Sequence, residues 1–470
     1  MSFDITTQVG DWLSTLSARE VLSQHMTSRA EVLPGLSGLL VEDAVEKLWN
    51  AWSRIFLPSE QHLDLGIKFL ARARGFHSRR YADGHAYERS RYEGVDAMGL
   101  TPHELWCLTG LAGVTKTSFL AALQRACIVL SGGMDALRPT AMGVNAPICP
   151  VLHLRIQPKQ KPDEVLRALA NPIFVAGRSA IKWPDLVSHL KDWMHARMAS
   201  LILVDELQFL SRSASASTLI ANFIAQVADI GLPTIYCCNY SSVHKLKARP
   251  QEDKDRLLTH PFVMQQPIEG DSYWTEVVSE FRAVAPDLID IDPHRDAAEL
   301  YRLCGGLCRL LRLLLVAACR VAWPDTVCRK VTMADVRAAY LSRFYSSQRK
   351  DVEDLKALMF SAETRKRRRD LVCPFEDLTL PVQPSKASPM TSIGKKPLHP
   401  ALAYQIESSI SAGGREVLAE LRAAADTVAS GRKAPAKVTR LPRQPKVTAE
   451  SLLKGMQTIR ERSKPSEQNG

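Results

Sequence analysis

No apolar run in this sequence is long enough to span a bilayer, and its first residues, MSFDITTQVGDWL, are polar and acidic where a secretory signal would be basic and then apolar. These absences point to a cytoplasmic protein with no membrane partner. Ten cysteines are scattered through 470 residues, and the closest, Cys304 and Cys308 in CGGLC, have no second pair or histidine at metal-ligand spacing beside them. Reduced core thiols are expected, not a zinc site. Internal repeats are lacking too. The most informative absence is a single glycine: in CLTGLAGVTKTSFLAAL, a loop of the form G-x-x-x-x-G-K-[ST] would have glycine at 115, where this chain has Thr115.

What is present is an ordinary globular composition, 46% hydrophobic and 24% charged, enough for a large core and two or more domains. The formal charge of +11 favours an anionic partner, most often nucleic acid. Much of that charge lies late in the chain, since Asp351 to Gly470 holds 21 Lys or Arg against 14 Asp or Glu.

Four regions are expected. Residues 1–85 form an N-terminal helical module, with helical apolar spacing in AVEKLWNAWSRIFL and LDLGIKFLARARGF. The basic stretch His77 to Gly94 then reads as either a linker or a phosphate-facing arm. Residues 86–269 alternate short apolar strands (ELWCL, PVLHLRI, SLILVD, PTIYCCN, FVMQQ) with helices, which implies crossover units, an α/β class and a mostly parallel sheet. Residues 270–345 read as helices alone, with VTMADV carrying the hydroxyl-then-acid pattern of a helix start. Residues 346–470 are a basic, Pro-rich and partly disordered extension, interrupted by helical pieces at REVLAELRAAADTVA and AESLLKGMQTI.

The chemistry gathers at the strand ends. Thr109, Gly110, Ala112, Gly113, Val114, Thr115, Lys116, Thr117 and Ser118 lie between a strand and a helix, where backbone amides would face phosphates. Lys116 would reach the β and γ oxygens of ATP, and Thr117 would bind Mg2+. A glycine-rich turn without a ligand is the alternative. SLILVDELQFL adds an apolar strand ending in Asp205, a second Mg2+ ligand through water, and Glu206, the base or orienter of the attacking water. Asn239, at the end of the next strand, is placed to reach the γ-phosphate or that water. Sites at the ends of neighbouring parallel strands converge in one crevice. Arg256 is a candidate finger toward a neighbouring subunit's nucleotide, with Arg249 as its competitor, and Arg309 is a candidate γ-phosphate sensor. For each arginine a solvated surface position is the alternative.

Taken together, GLAGVTKT, LILVDE, CCN and the GGLCRLLRLL segment resemble the AAA+ ATPases over about residues 100 to 345. More narrowly, VDELQFL, ANFIAQVADIGLPTIYCCN and the GG..R.L..L segment resemble the TnsC/TniB and phage Mu B group of transposition regulators. The resemblance implies a P-loop AAA+ core with an all-helical lid, acting as an ATPase that polymerises with ATP on double-stranded DNA as a ring or helical filament. It also implies a transposase and a target-selector protein as partners of the terminal extensions. DNA would be held through its phosphates, with Lys159 and Lys161 in IQPKQKPDE and Arg178 and Lys182 in AGRSAIKWP as the candidate contacts. RKRRR in the tail is a competing DNA contact.

Helicase or replication-initiator loaders share the same parts, and a nucleotide-dependent scaffold that does not hydrolyse is a further alternative. Thr115 departs from the pattern, because a β-branched side chain resists the positive φ that glycine accepts. Slow hydrolysis is the expected consequence.

Overall fold

The computed structural model describes residues 5–29, 31–82, 84–85, 87, 105–130, 137–139, 145–158, 160–169, 183–211, 216–258, 260–323 and 330–375. In chain order its strands are β1 (Leu105–Gly110), the short antiparallel pair β2 (Leu137–Pro139) and β3 (Asn145–Pro147), β4 (Val151–Arg155), β5 (Leu201–Asp205), β6 (Thr234–Asn239), β7 (His260–Met264), β8 (Ile289–Asp290) and β9 (Val331–Thr332). Five of them make one sheet in the order β4-β5-β6-β1-β7, every pairing parallel. The apolar runs become strands because helices leave no solvated face: Leu201, Ile202, Leu203 and Val204 are each at most 1% exposed. The small β2-β3 pair was not expected, because its residues show no apolar alternation.

The helices between sheet strands are α5 (Lys116–Leu130), α6 (Pro162–Leu169), α7 (Trp183–Ala196), α8 (Ala216–Ala228), α9 (Tyr240–Lys247) and α10 (Gln251–Leu257). They come after α1 (Ile5–Thr15), α2 (Arg19–Met26), α3 (Val41–Arg54) and α4 (Glu60–Arg80). Beyond the sheet come α11 (Ser272–Ala283), α12 (Pro293–Cys304), α13 (Cys308–Ala322) and α14 (Met333–Leu341). This lid is helical apart from the two-residue parallel pair of β8 and β9. Its last helix starts as VTMADV suggested, with the Thr332 N–H and hydroxyl both donating to Asp335 Oδ2 at 2.9 and 2.8 Å. The α/β class, the parallel sheet and the helical lid are therefore as expected.

The first four helices do not stand apart. Helix α2 packs on α5, where Arg125 Nη2 donates to the Met26 carbonyl at 2.7 Å. Helix α3 packs on α13, and Arg320 pairs bidentately with Glu42 at 3.0 and 2.7 Å. Trp52 is buried against Phe281, stacked at 5.9 Å, and its Nε1 donates to the Phe281 carbonyl at 2.9 Å. The module thus bridges sheet and lid. The described part of the His77 to Gly94 stretch belongs to it as well: α4 runs on to Arg80, and the buried Tyr81 and Tyr87 donate to the Ala199 and Ala196 carbonyls at 3.0 and 3.1 Å. Its described residues are therefore packed structure, while 83, 86 and 88–94 lie outside the described residues.

Order also continues past 346, through α15 (Ser346–Ala357) and α16 (Ala362–Arg367). Within RKRRR, Arg367 and Arg368 each bond Asp354 at 2.6 Å, and Arg368 also reaches Asp351 at 2.9 Å. Those two arginines are committed to internal carboxylates. The two helical pieces expected farther along the tail lie outside the described residues. Among the described residues no helix is long and apolar enough to cross a membrane, every cysteine is a free thiol, and no cluster of His, Cys, Asp and Glu is arranged to hold a metal.

Removing Trp52 deletes both a buried aromatic and a bridge to the lid. Trp52→Ala is expected to destabilise the protein by about 3–5 kcal/mol, and Trp52→Phe, which loses mainly the hydrogen bond, by about 1 kcal/mol. Urea unfolding followed by circular dichroism measures both.

Candidate nucleotide-binding site

Strand β1 lies between β6 and β7, so the loop after Gly110 opens onto the C-terminal edge of the sheet, the edge at which parallel sheets bind ligands. The strand runs to Gly110, two residues beyond the apolar run ELWCL, and the helix begins at Lys116. Between them the loop turns through Gly113 at φ +99° and Thr115 at φ +69°. Only the first can adopt that conformation without strain. The first-turn amides of α5, including those of Thr117 and Ser118, have no partner within the helix and face the loop.

Lys116 is buried, and its Nζ donates to the carbonyls of Gly110 at 2.8 Å and Leu111 at 2.7 Å. Burial pulls its pKa down, while the neighbouring Cys237, Cys238, Asp205 and Glu206 oppose the shift. An ammonium resting on loop carbonyls at a helix N-terminus is one that an anion could draw away. Within the loop, Val114 is buried, Ala112 is exposed, and Thr109 is fully buried with its hydroxyl lacking a hydrogen-bond partner.

The two acids of β5 and its exit complete the opposite wall. Asp205 is 1% exposed, accepts from the Glu206 N–H at 2.8 Å through Oδ1, and leaves Oδ2 without a hydrogen bond, 3.5 Å from His153 Nε2. Burial pushes this carboxyl up, but His153 and Thr117 outweigh it and hold it below its usual value. An ionised carboxylate with an orphaned buried oxygen beside a threonine hydroxyl suits a hydrated divalent cation. Glu206 leaves the strand at φ +61°. Its Oε1 accepts from Thr117 Oγ1 at 3.2 Å and lies 3.8 Å from Arg155 Nη2, while Oε2 accepts from Gln208 Nε2. Asn239 stands opposite Gly110 in the β1-β6 register, half-buried, with no capping bond from its side chain to α9.

The lid reaches the loop through Arg309, itself exposed. A β-carbon placed on Gly113 would lie 3.2 Å from Cβ and 3.6 Å from Nε of Arg309, in the first turn of α13. Glycine at 113 is therefore required twice, by its backbone angle and by the approach of the lid. Lys116, Thr117, Asp205, Glu206, Asn239 and Arg309 are brought together at one end of the sheet.

The remaining candidates are elsewhere. Arg249 is engaged with Asp253 at 2.7 Å, whereas Arg256 is exposed on α10. Lys161 is exposed just before α6, its backbone N–H donating to Glu164 Oε2 at 3.0 Å. Lys159, Arg178 and Lys182 lie outside the described residues. Four neighbours of the site carry no motif that would single them out: His153, Arg155, Gln208 and His62, whose Nε2 is 2.9 Å from Thr115 Oγ1. His153 gave some signal, as a histidine inside the apolar strand PVLHLRI. Nothing local marks His62, which reaches the loop only through the tertiary fold.

No family model and no curated protein sequence matches the chain. Solved structures that the chain matches include the Aeropyrum pernix ORC1 protein in complex with DNA, at 16% identity, covering 60% of this chain and 69% of that one with a TM-score of 0.35. Drosophila ORC bound to DNA matches at 16% identity over 59% of this chain and 63% of its own length, TM-score 0.33. C. elegans PCH-2 matches at 13% identity over 66% and 73%, TM-score 0.36. At such TM-scores these likenesses decide neither fold nor function, and the chain's own residues have to do so.

Gly113→Ala places a methyl group against Arg309 in a left-handed backbone. It is expected to weaken binding of Mg2+-ATP by about fivefold to 150-fold, from strain of about 1–3 kcal/mol, as read by titration with a fluorescent nucleotide. An unchanged affinity contradicts the geometry.

Proposed function

We propose that the chain is an ATP-dependent, DNA-binding AAA+ ATPase that oligomerises on target DNA and links target selection to recruitment of a transposase. The observation that carries the nucleotide half is the convergence of Lys116, Thr117, Asp205, Glu206, Asn239 and Arg309 around one loop at the sheet's C-terminal edge. In this reading Thr109 to Ser118 cradle the triphosphate, and Lys116 exchanges the Gly110 and Leu111 carbonyls for phosphate oxygens. Thr117 and Asp205 hold Mg2+, which when bound neutralises charge on the β and γ phosphates. Glu206 orients or deprotonates the attacking water, Asn239 reaches the γ-phosphate or that water, and Arg309 senses the γ-phosphate from the lid. Arg256, exposed while Arg249 is paired, is the better finger toward a neighbouring subunit's nucleotide.

The DNA half is supported by the charge of +11 and by the resemblance of VDELQFL, the CCN strand end and the lid segment to the transposition regulators. Lys159, Lys161, Arg178 and Lys182 are the proposed phosphate contacts. The pairing of Arg367 and Arg368 with Asp354 counts against RKRRR as the DNA contact. Slow hydrolysis belongs to the same reading, because Thr115, at φ +69°, brings a β-branched side chain to the position where the phosphate-loop pattern has glycine. Thr115→Gly is accordingly expected to raise turnover.

Electron microscopy of the protein with duplex DNA tests the reading. Rings or filaments are expected with ATP or a non-hydrolysable analogue and not without nucleotide. Lys116→Ala is expected to abolish assembly, and Glu206→Gln to keep assembly while stopping phosphate release. Assembly without nucleotide, or normal assembly by Lys116→Ala, contradicts it.

A further inference from the structure

Thr115 sits at φ +69°, a conformation that costs a β-branched residue energy unless its surroundings impose it. Two contacts of its hydroxyl do so: Oγ1 donates to the Val114 carbonyl and lies 2.9 Å from Nε2 of His62. The other side of the His62 ring fixes which atom gives the proton. Nδ1 accepts from the Ser59 backbone N–H at 2.9 Å, in the capping box that starts α4. With Nδ1 the acceptor, the proton of the neutral ring is on Nε2, so His62 donates to Thr115. Burial keeps the ring neutral at physiological pH by pushing its pKa down to about 4. Phe56 and Phe119 hold the ring in place, with centroids 5.2 and 5.5 Å away.

The residue before His62 locks the same helical turn to the sheet. Gln61 Nε2 donates to the Val263 carbonyl at 2.8 Å, and the Gln265 N–H donates to Gln61 Oε1 at 3.0 Å, at the end of β7. The first turn of α4 therefore holds both the exit of β7 and the nucleotide loop. Through Trp52 and Glu42 the same module holds the lid.

We propose that His62 is a positioning residue for the nucleotide loop: it holds Thr115 by the hydroxyl in the backbone conformation that glycine would adopt unaided, making nucleotide binding conditional on docking of the N-terminal helices. The inference rests on the reading of the loop as an ATP site. Threonine at this position is then a coupling device. A glycine would bind nucleotide whatever the N-terminal helices did, whereas this loop is held in shape only while α4 is in place. A partner that displaced the start of α4 would weaken nucleotide binding without touching the nucleotide.

The test is a double-mutant cycle on the full chain, with Mg2+-ATP affinity as one readout and amide hydrogen exchange of residues 111–117, without nucleotide, as the other. His62→Ala is expected to weaken binding about tenfold, the scale of one lost hydrogen bond in a strained loop, and Thr115→Val, which keeps the branched shape but loses both contacts of the hydroxyl, by at least as much. In a Thr115→Gly background His62→Ala is expected to change affinity by less than about twofold, because glycine needs no support. Exchange in the loop is expected to quicken with His62→Ala only when Thr115 is present. Equal losses in both backgrounds would mean that His62 merely stabilises the fold, and no loss in either would mean that it does nothing for the loop; each overturns the proposal. If the unmodified protein and Lys116→Ala bind ATP equally poorly, the ATP-site reading fails instead. The exchange contrast then decides the His62 to Thr115 coupling by itself.

Discussion

Between Gly110 and Lys116 the backbone must reverse direction within five residues, and it does so through two left-handed positions of which only Gly113 is a glycine. Three parts of the protein meet over that constraint. The lid lays Arg309 against Gly113, where a β-carbon would lie 3.2 Å from the arginine's own. The N-terminal helices hold Thr115 through His62. The sheet supplies Asp205 and Glu206 from β5 and Asn239 from β6. A loop that needs external support at Thr115 ties its shape to the packing of elements on either side of it in the chain.

Glu206 shows the same economy of placement. It too is left-handed, and its carboxylate is shared among Thr117, Gln208 and Arg155. Thr117 connects it to the helix that carries Lys116, so the two walls of the site already touch. Asp205 is the contrast: ionised, buried and with one oxygen unsatisfied, it has an unmet demand for positive charge that Mg2+ would meet.

Much of this was legible from patterns whose period is local. The apolar runs LILVD and TIYCCN have no polar face, which marks buried parallel strands, and acids or amides directly after them mark strand ends. The glycines, Lys116 and Thr117 are legible for the same reason, since the motif is contiguous. What escaped was tertiary. His62 is 53 residues from Thr115, and only folding reveals that the cap of α4 doubles as a support for the loop. Charge density misled in two places. Tyr81 and Tyr87 are buried within a basic stretch that reads as either a linker or a phosphate-facing arm, and Arg367 and Arg368 are neutralised by Asp351 and Asp354, which a charge count cannot pair with them. Thr115 was legible as a departure but not as a supported one, because the compensating residue lies in another element.

The proposed nucleotide site rests most on Lys116, whose ammonium lies on the Gly110 and Leu111 carbonyls. The most direct measurement is a structure of the full chain with Mg2+ and a non-hydrolysable ATP analogue. The triphosphate is expected on the loop from Gly110 to Ser118, with the Lys116 ammonium moved onto phosphate oxygens. A nucleotide bound elsewhere, or one bound while Lys116 keeps both carbonyls, would contradict the site.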